Sequence, residues 1–266
     1  MQFEPHEGES AAIVSLAQWF RTPAGQYVRQ WEQARLDATV DDVFGYNAVQ
    51  AGLPDCPALR RSRMPFRAYA GPTLPDATMH EHWNAVVMTS LEALPFESQS
   101  LDLFVLPHGL ECARNPHQVL REAERVLIPE GRLVITGFNP WSLWGARQRL
   151  TGARWLPQCE RFISITRLKD WLNLLSFDLD GGHFGCYALP INSQQWLERF
   201  RFLEKAGNRW WPVAGSVYIL SAVKRIHGMR LVGPNWKNER ARARPGQVAV
   251  HQRTGSAPSR SSNGAR

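Results

Sequence analysis

One stretch of the sequence, residues 101–137, constrains the fold more than any other. Residues 101–106 (LDLFVL) form a nearly continuous apolar run, as expected for a strand covered on both faces. Asn115 and Pro116 are typical of a helix start, with Asn as the N-cap and Pro at the first helical position. After a turn at 129–131, residues 132–137 (RLVITG) predict a second strand. A strand, a helix and a strand joined by short connections form a parallel crossover unit, so we predict an α/β fold.

Hydrophobic periodicity predicts further elements on both sides of this unit. Residues 11–36 predict two helices with a break at 22–25, where Thr, Pro and Gly occur. The late pair of strands is compatible with an antiparallel edge. We predict strands over 46–52, 65–70, 85–88, 178–189 and 216–223, and helices over 141–150, 166–175 and 194–204.

The positive charge of the chain is concentrated at its C-terminal end. The sequence has 31 basic and 24 acidic residues, a formal net charge of +7. Residues 232–266 contain seven of the basic residues and one acid, so residues 1–231 are nearly neutral. That end also has few large apolar side chains, too few to offset the entropy of ordering. We therefore predict an N-terminal helical extension over 1–20, a domain over 21–231 and a disordered basic tail over 232–266.

Several classes of protein are disfavoured by the sequence. It has no apolar run of about 18 residues, the length that a membrane helix needs. Its first ten residues are acidic and lack the basic start of a secretory signal. Four cysteines without C-x-x-C spacing favour a reduced, cytoplasmic protein without structural zinc. His80 and His82 would share one face of a strand, but no third ligand is nearby, so we predict no metal site.

Three motifs occur in the order that is typical of one enzyme family. They are Ala93-Leu94-Pro95-Phe96 followed by Leu101-Asp102, then His108-Gly109-Leu110-Glu111-Cys112, then residues 125–133 (RVLIPEGRL). This ordered set resembles the type-11 group of class I S-adenosylmethionine-dependent methyltransferases. The resemblance implies a Rossmann-like class I methyltransferase fold, with a mostly parallel seven-stranded sheet and an antiparallel edge strand. It also implies S-adenosylmethionine as the cofactor.

The resemblance places a cofactor site beyond the carboxyl ends of the strands, where open α/β sheets bind ligands. It implies that Ser90 and the backbone N–H of Leu91 hold the adenine. The methionine portion would face Gln50 and Gly52, and the methyl group would be bordered by Pro107 and His108. His108 is the candidate catalytic residue. A helical turn after His108 would also bring Glu111, three residues later, within hydrogen-bonding distance of it.

Two departures from the family pattern leave the function open. The family's first strand ends in a Gly-x-Gly-x-Gly loop, whereas no two glycines of this chain are two residues apart and Gly52 is the nearest counterpart. The second strand should end at an acid for the ribose, but the first acid after 70–72 is Asp76. The chain is therefore a methyltransferase acting on an unidentified acceptor, with a small molecule favoured, or a catalytically inactive methyltransferase-fold binding or scaffold protein. A weaker third hypothesis is nucleic-acid binding through the basic tail.

A tryptophan- and arginine-bearing segment follows the last strand of the crossover unit. It contains Trp141, Trp144 and Trp155 among several arginines. In the family's layout this segment often builds the lid over the methyl acceptor. The alternative is an amphipathic helix whose arginines extend along apolar surface.

Overall fold

A seven-stranded sheet organises the part of the chain that the structure describes. The structure is a computed structural model, and it describes residues 7–151, 162–188, 207 and 212–225. Within these ranges the strands are β1 (Asn47–Ala51), β2 (Phe66–Gly71), β3 (Ala85–Met88), β4 (Leu101–Pro107), β5 (Leu127–Phe138), β6 (Phe177–Gly185) and β7 (Val217–Lys224).

The order of the strands is β3-β2-β1-β4-β5-β7-β6. The neighbours from β3 to β5 are parallel, whereas β7 runs antiparallel to both β5 and β6. The predicted α/β fold is therefore confirmed, with a mostly parallel sheet and antiparallel pairing at its late edge. Each of the five predicted strand regions outside the crossover unit contains a strand.

Helices cover both faces of this sheet. They are α1 (Glu7–Phe20), α2 (Pro23–Asp41), α3 (Gly109–Cys112), α4 (Pro116–Val126), α5 (Leu143–Thr151) and α6 (Ile165–Leu174). Two of them begin with a side-chain N-cap, and the one at Asn115 is the cap that the sequence predicts. The side chain of Thr22 accepts from Gly25 N at the start of α2, and that of Asn115 accepts from Gln118 N at the start of α4.

The core lies in two layers, one on each face of the sheet. The first layer joins α1 and α2 to the sheet, and its buried side chains include Ile13, Leu16, Phe20, Val28, Leu36, Val105 and Val134. The second joins α4 and α6 to the sheet and includes Phe104, Leu106, Val119, Leu120, Ala123, Leu168 and Leu172. The first helix of the chain, which the sequence predicts as an extension, thus packs into the same core as the sheet.

The structure differs from the predicted elements in a few places. β5 starts at Leu127, directly after α4, so the residues predicted as a turn at 129–131 lie within the strand, where Glu130 has a positive φ of 63°. His80 and His82 lie in a 3₁₀ turn (Ala77–His82) rather than in a strand. The helix predicted over 194–204 lies outside the described residues. Within the described ranges no helix has the length and apolar character needed to cross a membrane.

The chain divides into two units. Residues 1–227 form one compact unit, and residues 228–266 are a second unit that lies outside the described ranges. The predicted domain boundaries and the disordered basic tail therefore stay predictions.

Candidate cofactor site

The strand order reverses between β1 and β4, and this reversal defines the crevice in which doubly wound α/β sheets bind ligands. From β1 the chain continues outward through β2 to β3, whereas β5 lies on the other side of β4. Residues at the carboxyl ends of the parallel strands meet at one edge of the sheet. That edge carries all the residues that the family resemblance assigns to the cofactor: Gln50, Gly52, Ser90, Leu91, Pro107 and His108.

At the end of β3, Ser90 and Leu91 are bound by a carboxylate from α1. Ser90 Oγ donates to Glu9 Oε2 at 3.0 Å, and the backbone N–H of Leu91 donates to Glu9 Oε1 at 3.2 Å. All three residues are buried. The two groups predicted to contact adenine therefore lie side by side, and both bind the carboxylate of Glu9.

At the end of β1, the side chain of Gln50 organises the loop that follows the strand. Its Nε2 donates to Leu53 O at 2.9 Å and to Cys56 O at 2.7 Å, and its Oε1 accepts from Ala58 N at 2.9 Å. Both N–H donors of the amide are thus used inside the loop. Gln50 is fully buried and supports the loop backbone, so it presents no free donor to the crevice.

Gly52 is required by the backbone at the point where β1 meets the turn after β4. Its φ is 119°, a conformation that L side chains rarely adopt. A Cβ at this position would stand 2.6 Å from Pro107 O, which already accepts from Leu53 N at 3.0 Å. The glycine therefore lets the loop after β1 pack directly against the end of β4. Pro107, predicted to border the methyl group, is buried in this contact.

Beyond the end of β4, His108 is clamped between two glutamates. Its Nδ1 lies 2.7 Å from Glu111 Oε2, and its Nε2 lies 2.8 Å from Glu32 Oε1 on α2. The three side chains are 0–1% exposed. The ring also packs against Phe138 with a centroid distance of 4.5 Å. The predicted hydrogen bond between His108 and Glu111 is confirmed.

The two carboxylates control the protonation of His108. Burial by itself lowers the pKa of the imidazole, but the charge of Glu32 and the hydrogen bonds to both glutamates outweigh burial and raise the pKa to about 10. Burial raises the pKa of the Glu111 carboxyl, although the hydrogen bonds from His108 and Phe138 N oppose this. The cluster therefore holds its proton tightly at neutral pH, with an imidazolium that donates to both sides.

A protonated His108 has no lone pair, so it cannot accept a proton as a general base at neutral pH. Glu111 Oε1 additionally accepts from Phe138 N at 2.6 Å, which connects the cluster to the end of β5. Glu32 Oε2 is buried without a hydrogen-bond partner among the described residues. The buried charged groups therefore link three elements: α2, β5 and the turn that follows β4. This arrangement suits His108 to a positioning role rather than to proton transfer.

The residues present fit one end of S-adenosylmethionine. The hydroxyl of Ser90 could accept from the amino group of adenine while the N–H of Leu91 donates to the ring, and the two groups lie side by side, where both now donate to Glu9. The methionine end fits less well, because the amide of Gln50 is used within its own loop. Asp55 and Asp76 line a cavity of about 260 Å³ between α1 and the loops after β1 and β2.

Two residues of the site were missed from the sequence, Glu9 and Glu32. Both lie on helices that precede the first strand, and they reach partners 81 and 76 positions away in the chain. No signal in the sequence marks them, because periodicity does not reveal that a particular acid is buried or which distant partner it meets.

The tryptophan- and arginine-bearing segment is only partly described. Trp144 is fully buried and its Nε1 donates to Ala188 O at 2.7 Å, which is interior packing. Trp141 is exposed, and the guanidinium of Arg149 lies over its ring at 4.8 Å. Trp155 lies outside the described residues. In the ranges that the structure covers, no group of three or more His, Cys, Asp or Glu is arranged to hold a metal ion.

Comparison with known proteins agrees with this geometry. Residues 69–135 match the model of a family described as a methyltransferase domain. The fold is similar to that of a crystallised S-adenosylmethionine-dependent methyltransferase from Thermotoga maritima, a possible histamine N-methyltransferase. The TM-score is 0.55 at 15% identity, over 74% of this chain and 91% of that one. The chain thus has the class I methyltransferase fold that the motifs predict, and the family match covers its central region, residues 69–135.

Two curated relatives are similar over part of their length. The uncharacterized protein YafS of Escherichia coli K12 is 35% identical over 161 residues, which are 60% of this chain and 63% of YafS. The malonyl-[acyl-carrier protein] O-methyltransferase of Laribacter hongkongensis is 28% identical over 142 residues, which are 52% of this chain and 48% of that enzyme. The matched segment thus spans about half to two thirds of these relatives.

Proposed function

We propose that this protein is an S-adenosylmethionine-dependent methyltransferase that acts on a small-molecule acceptor. The observation that carries the proposal is that Ser90 Oγ and Leu91 N lie side by side at the end of β3, where both donate to the carboxylate of Glu9. These are the two groups that the family resemblance assigns to adenine, and they lie at the edge of the sheet where α/β folds bind ligands.

Within this proposal, the residues of the chain bind and orient rather than move protons. Ser90 and Leu91 would hold the adenine, and Gly52 would set the approach of the backbone after β1. The bound cofactor supplies an electrophilic methyl carbon. Since methyl transfer to a good nucleophile is an in-line displacement, positioning provides much of the rate and a base is optional. His108 would act as a positioning residue, because its charged ring fixes α2 against the turn after β4.

The cellular location proposed for the protein is the cytoplasm. Cys56, Cys112 and Cys186 are free and buried thiols in the described part of the chain. Such unpaired cysteines are typical of reducing compartments, where structural disulfides are rare.

A second candidate, a non-catalytic binding or scaffold protein on the same fold, is favoured by a different observation. Gln50 uses both of its N–H donors within the loop after β1, and this loop replaces the glycine-rich turn of the family. Unless the loop rearranges, Gln50 has no N–H donor left for the methionine end of the cofactor. The chain would then bind a partner without turnover.

Calorimetric titration with S-adenosylmethionine and S-adenosylhomocysteine separates the two candidates. The methyltransferase proposal predicts saturable binding with a Kd below about 100 µM, about 5.5 kcal/mol. In a Glu9→Ala background, where no carboxylate occupies the donors, Ser90→Ala should weaken this binding, whereas Ser98→Ala, at a loop position away from the crevice, should leave it unchanged. No detectable heat with millimolar ligand, for the natural protein and for the variants of α1 described below, would favour the scaffold.

A further inference from the structure

Glu9 occupies the position at which a nucleoside base would make its hydrogen bonds. Its two carboxylate oxygens accept from Ser90 Oγ and from Leu91 N, at 3.0 and 3.2 Å. Because the backbone N–H of Leu91 is a single donor, it cannot serve Glu9 and adenine at full strength at the same time. We propose that the first turns of α1 are a self-blocking segment, in which Glu9 competes with the adenine of the cofactor. This inference rests on the proposed methyltransferase function.

The attachment of α1 is uneven along its length. Its C-terminal end is anchored in the core, where Trp19 and Phe20 pack against Phe138 at centroid distances of 5.2 and 6.5 Å. At its N-terminal end, Ser10 Oγ reaches Pro72 O at 3.4 Å, which is a long hydrogen bond. The buried apolar side chains of α1 begin at Ala12, so the turn that carries Glu9 is held to the domain by hydrogen bonds rather than by apolar packing.

Release of the site does not require the whole helix to leave. Glu9 is the third residue of α1, and helix ends open locally at much lower free energy than the core. Unwinding of the first turn, up to about Ser10, removes the carboxylate from Ser90 and Leu91. Phe20 remains in place, and so does the turn at Arg21 and Thr22 that leads into α2.

When a site is open only part of the time, the apparent Kd for its ligand is the intrinsic Kd divided by the fraction of molecules in which the site is open. The segment thus sets the cofactor concentration at which the protein becomes loaded. A partner that holds the N-terminal residues away from β3 would raise the apparent affinity without touching the ligand.

The test compares Glu9→Ala with the natural protein and with Ala11→Gln, a matched control on the exposed face of the same helix. Titration with S-adenosylhomocysteine should give a Kd at least ten-fold lower for Glu9→Ala, with no change for Ala11→Gln. Equal affinities in all three proteins would overturn the blocking role and leave cofactor binding intact. Absence of binding in all three at millimolar ligand would overturn the proposed function, and the blocking role with it.

Hydrogen exchange of the natural protein provides a readout that needs no variant. Saturating S-adenosylhomocysteine should accelerate amide exchange in residues 7–12, because Glu9 has been displaced, while exchange in α4 stays the same. Slower exchange in residues 7–12 would mean that α1 closes over the ligand and does not compete with it, and would overturn the inference.

Discussion

Nε2 of His108 lies 2.8 Å from Oε1 of Glu32, although 76 positions separate the two residues in the chain. His108 follows β4 at a positive φ of 52°, and Glu32 is on α2, so the contact fixes the helix before the first strand to the turn after the fourth. Glu111 binds the other nitrogen of the ring at 2.7 Å.

Replacement of His108 should destabilise the protein strongly. His108→Gln removes the positive charge from between two buried carboxylates, and removing one partner of a buried ion pair costs about 3–5 kcal/mol. Urea unfolding measures this loss. His183→Gln is the control, since His183 is exposed on β6 and should change the free energy of unfolding by less than about 0.5 kcal/mol. A similarly small effect for His108→Gln would contradict the buried cluster.

The stability of the fold should depend on pH through the same residue. The pKa of His108 is raised from 6.5 to about 10 in the folded protein, so the folded state holds the proton more tightly than the unfolded state. This contribution is complete below about pH 6.5 and is lost as the pH rises toward 10. The free energy of unfolding of the natural protein minus that of His108→Gln should therefore shrink between pH 7 and 10. A difference that stays constant over this range would rule out a raised pKa.

Gln50 should matter for stability independently of any ligand. Gln50→Ala leaves Ala58 N and two carbonyl groups of the loop without their partner, and an unsatisfied buried polar group costs about 1–3 kcal/mol. We expect a loss of about 3 kcal/mol by thermal or urea unfolding. The exposed Gln18→Ala on α1 is the matched control. An unchanged stability for Gln50→Ala would show that the loop does not depend on this side chain.

A methyl group should be tolerated at one glycine and not at another. Gly52→Ala places a Cβ 2.6 Å from Pro107 O at a φ of 119°, so we expect a loss on the order of 2 kcal/mol. Gly181→Ala, on β6, meets open space and should be nearly neutral. Unfolding curves of the two variants compare them directly. Equal effects would show that the backbone relaxes around Gly52.

The basic tail should be dispensable for the fold. Deletion of residues 232–266, predicted to be disordered, should leave the melting temperature within about 1 °C of that of the full chain. The same deletion should abolish nonspecific nucleic-acid binding in a shift assay, and binding by the full chain should weaken steeply with salt, because lysine and arginine release counterions from phosphates. Unchanged nucleic-acid affinity after the deletion would remove the tail from this role.

The sequence by itself determined the elements whose character is local. The apolar run of β4, the Asn115-Pro116 start of α4 and the contact of His108 with Glu111 were predictable, because a continuous apolar run, a cap and a spacing of three residues depend only on near neighbours. Ordered motifs also predicted the methyltransferase fold, and they assign the candidate site to one edge of the sheet.

Only the tertiary structure decided what fills that site. Glu9 binds Leu91 across 82 positions, and Glu32 binds His108 across 76. A pattern of apolar and polar residues shows which faces are buried, but it does not show which distant charged group meets a given donor once the helices pack on the sheet. In the proposed competition at Ser90 and Leu91, the packing of α1 brings the carboxylate of Glu9 to the two groups that adenine would use.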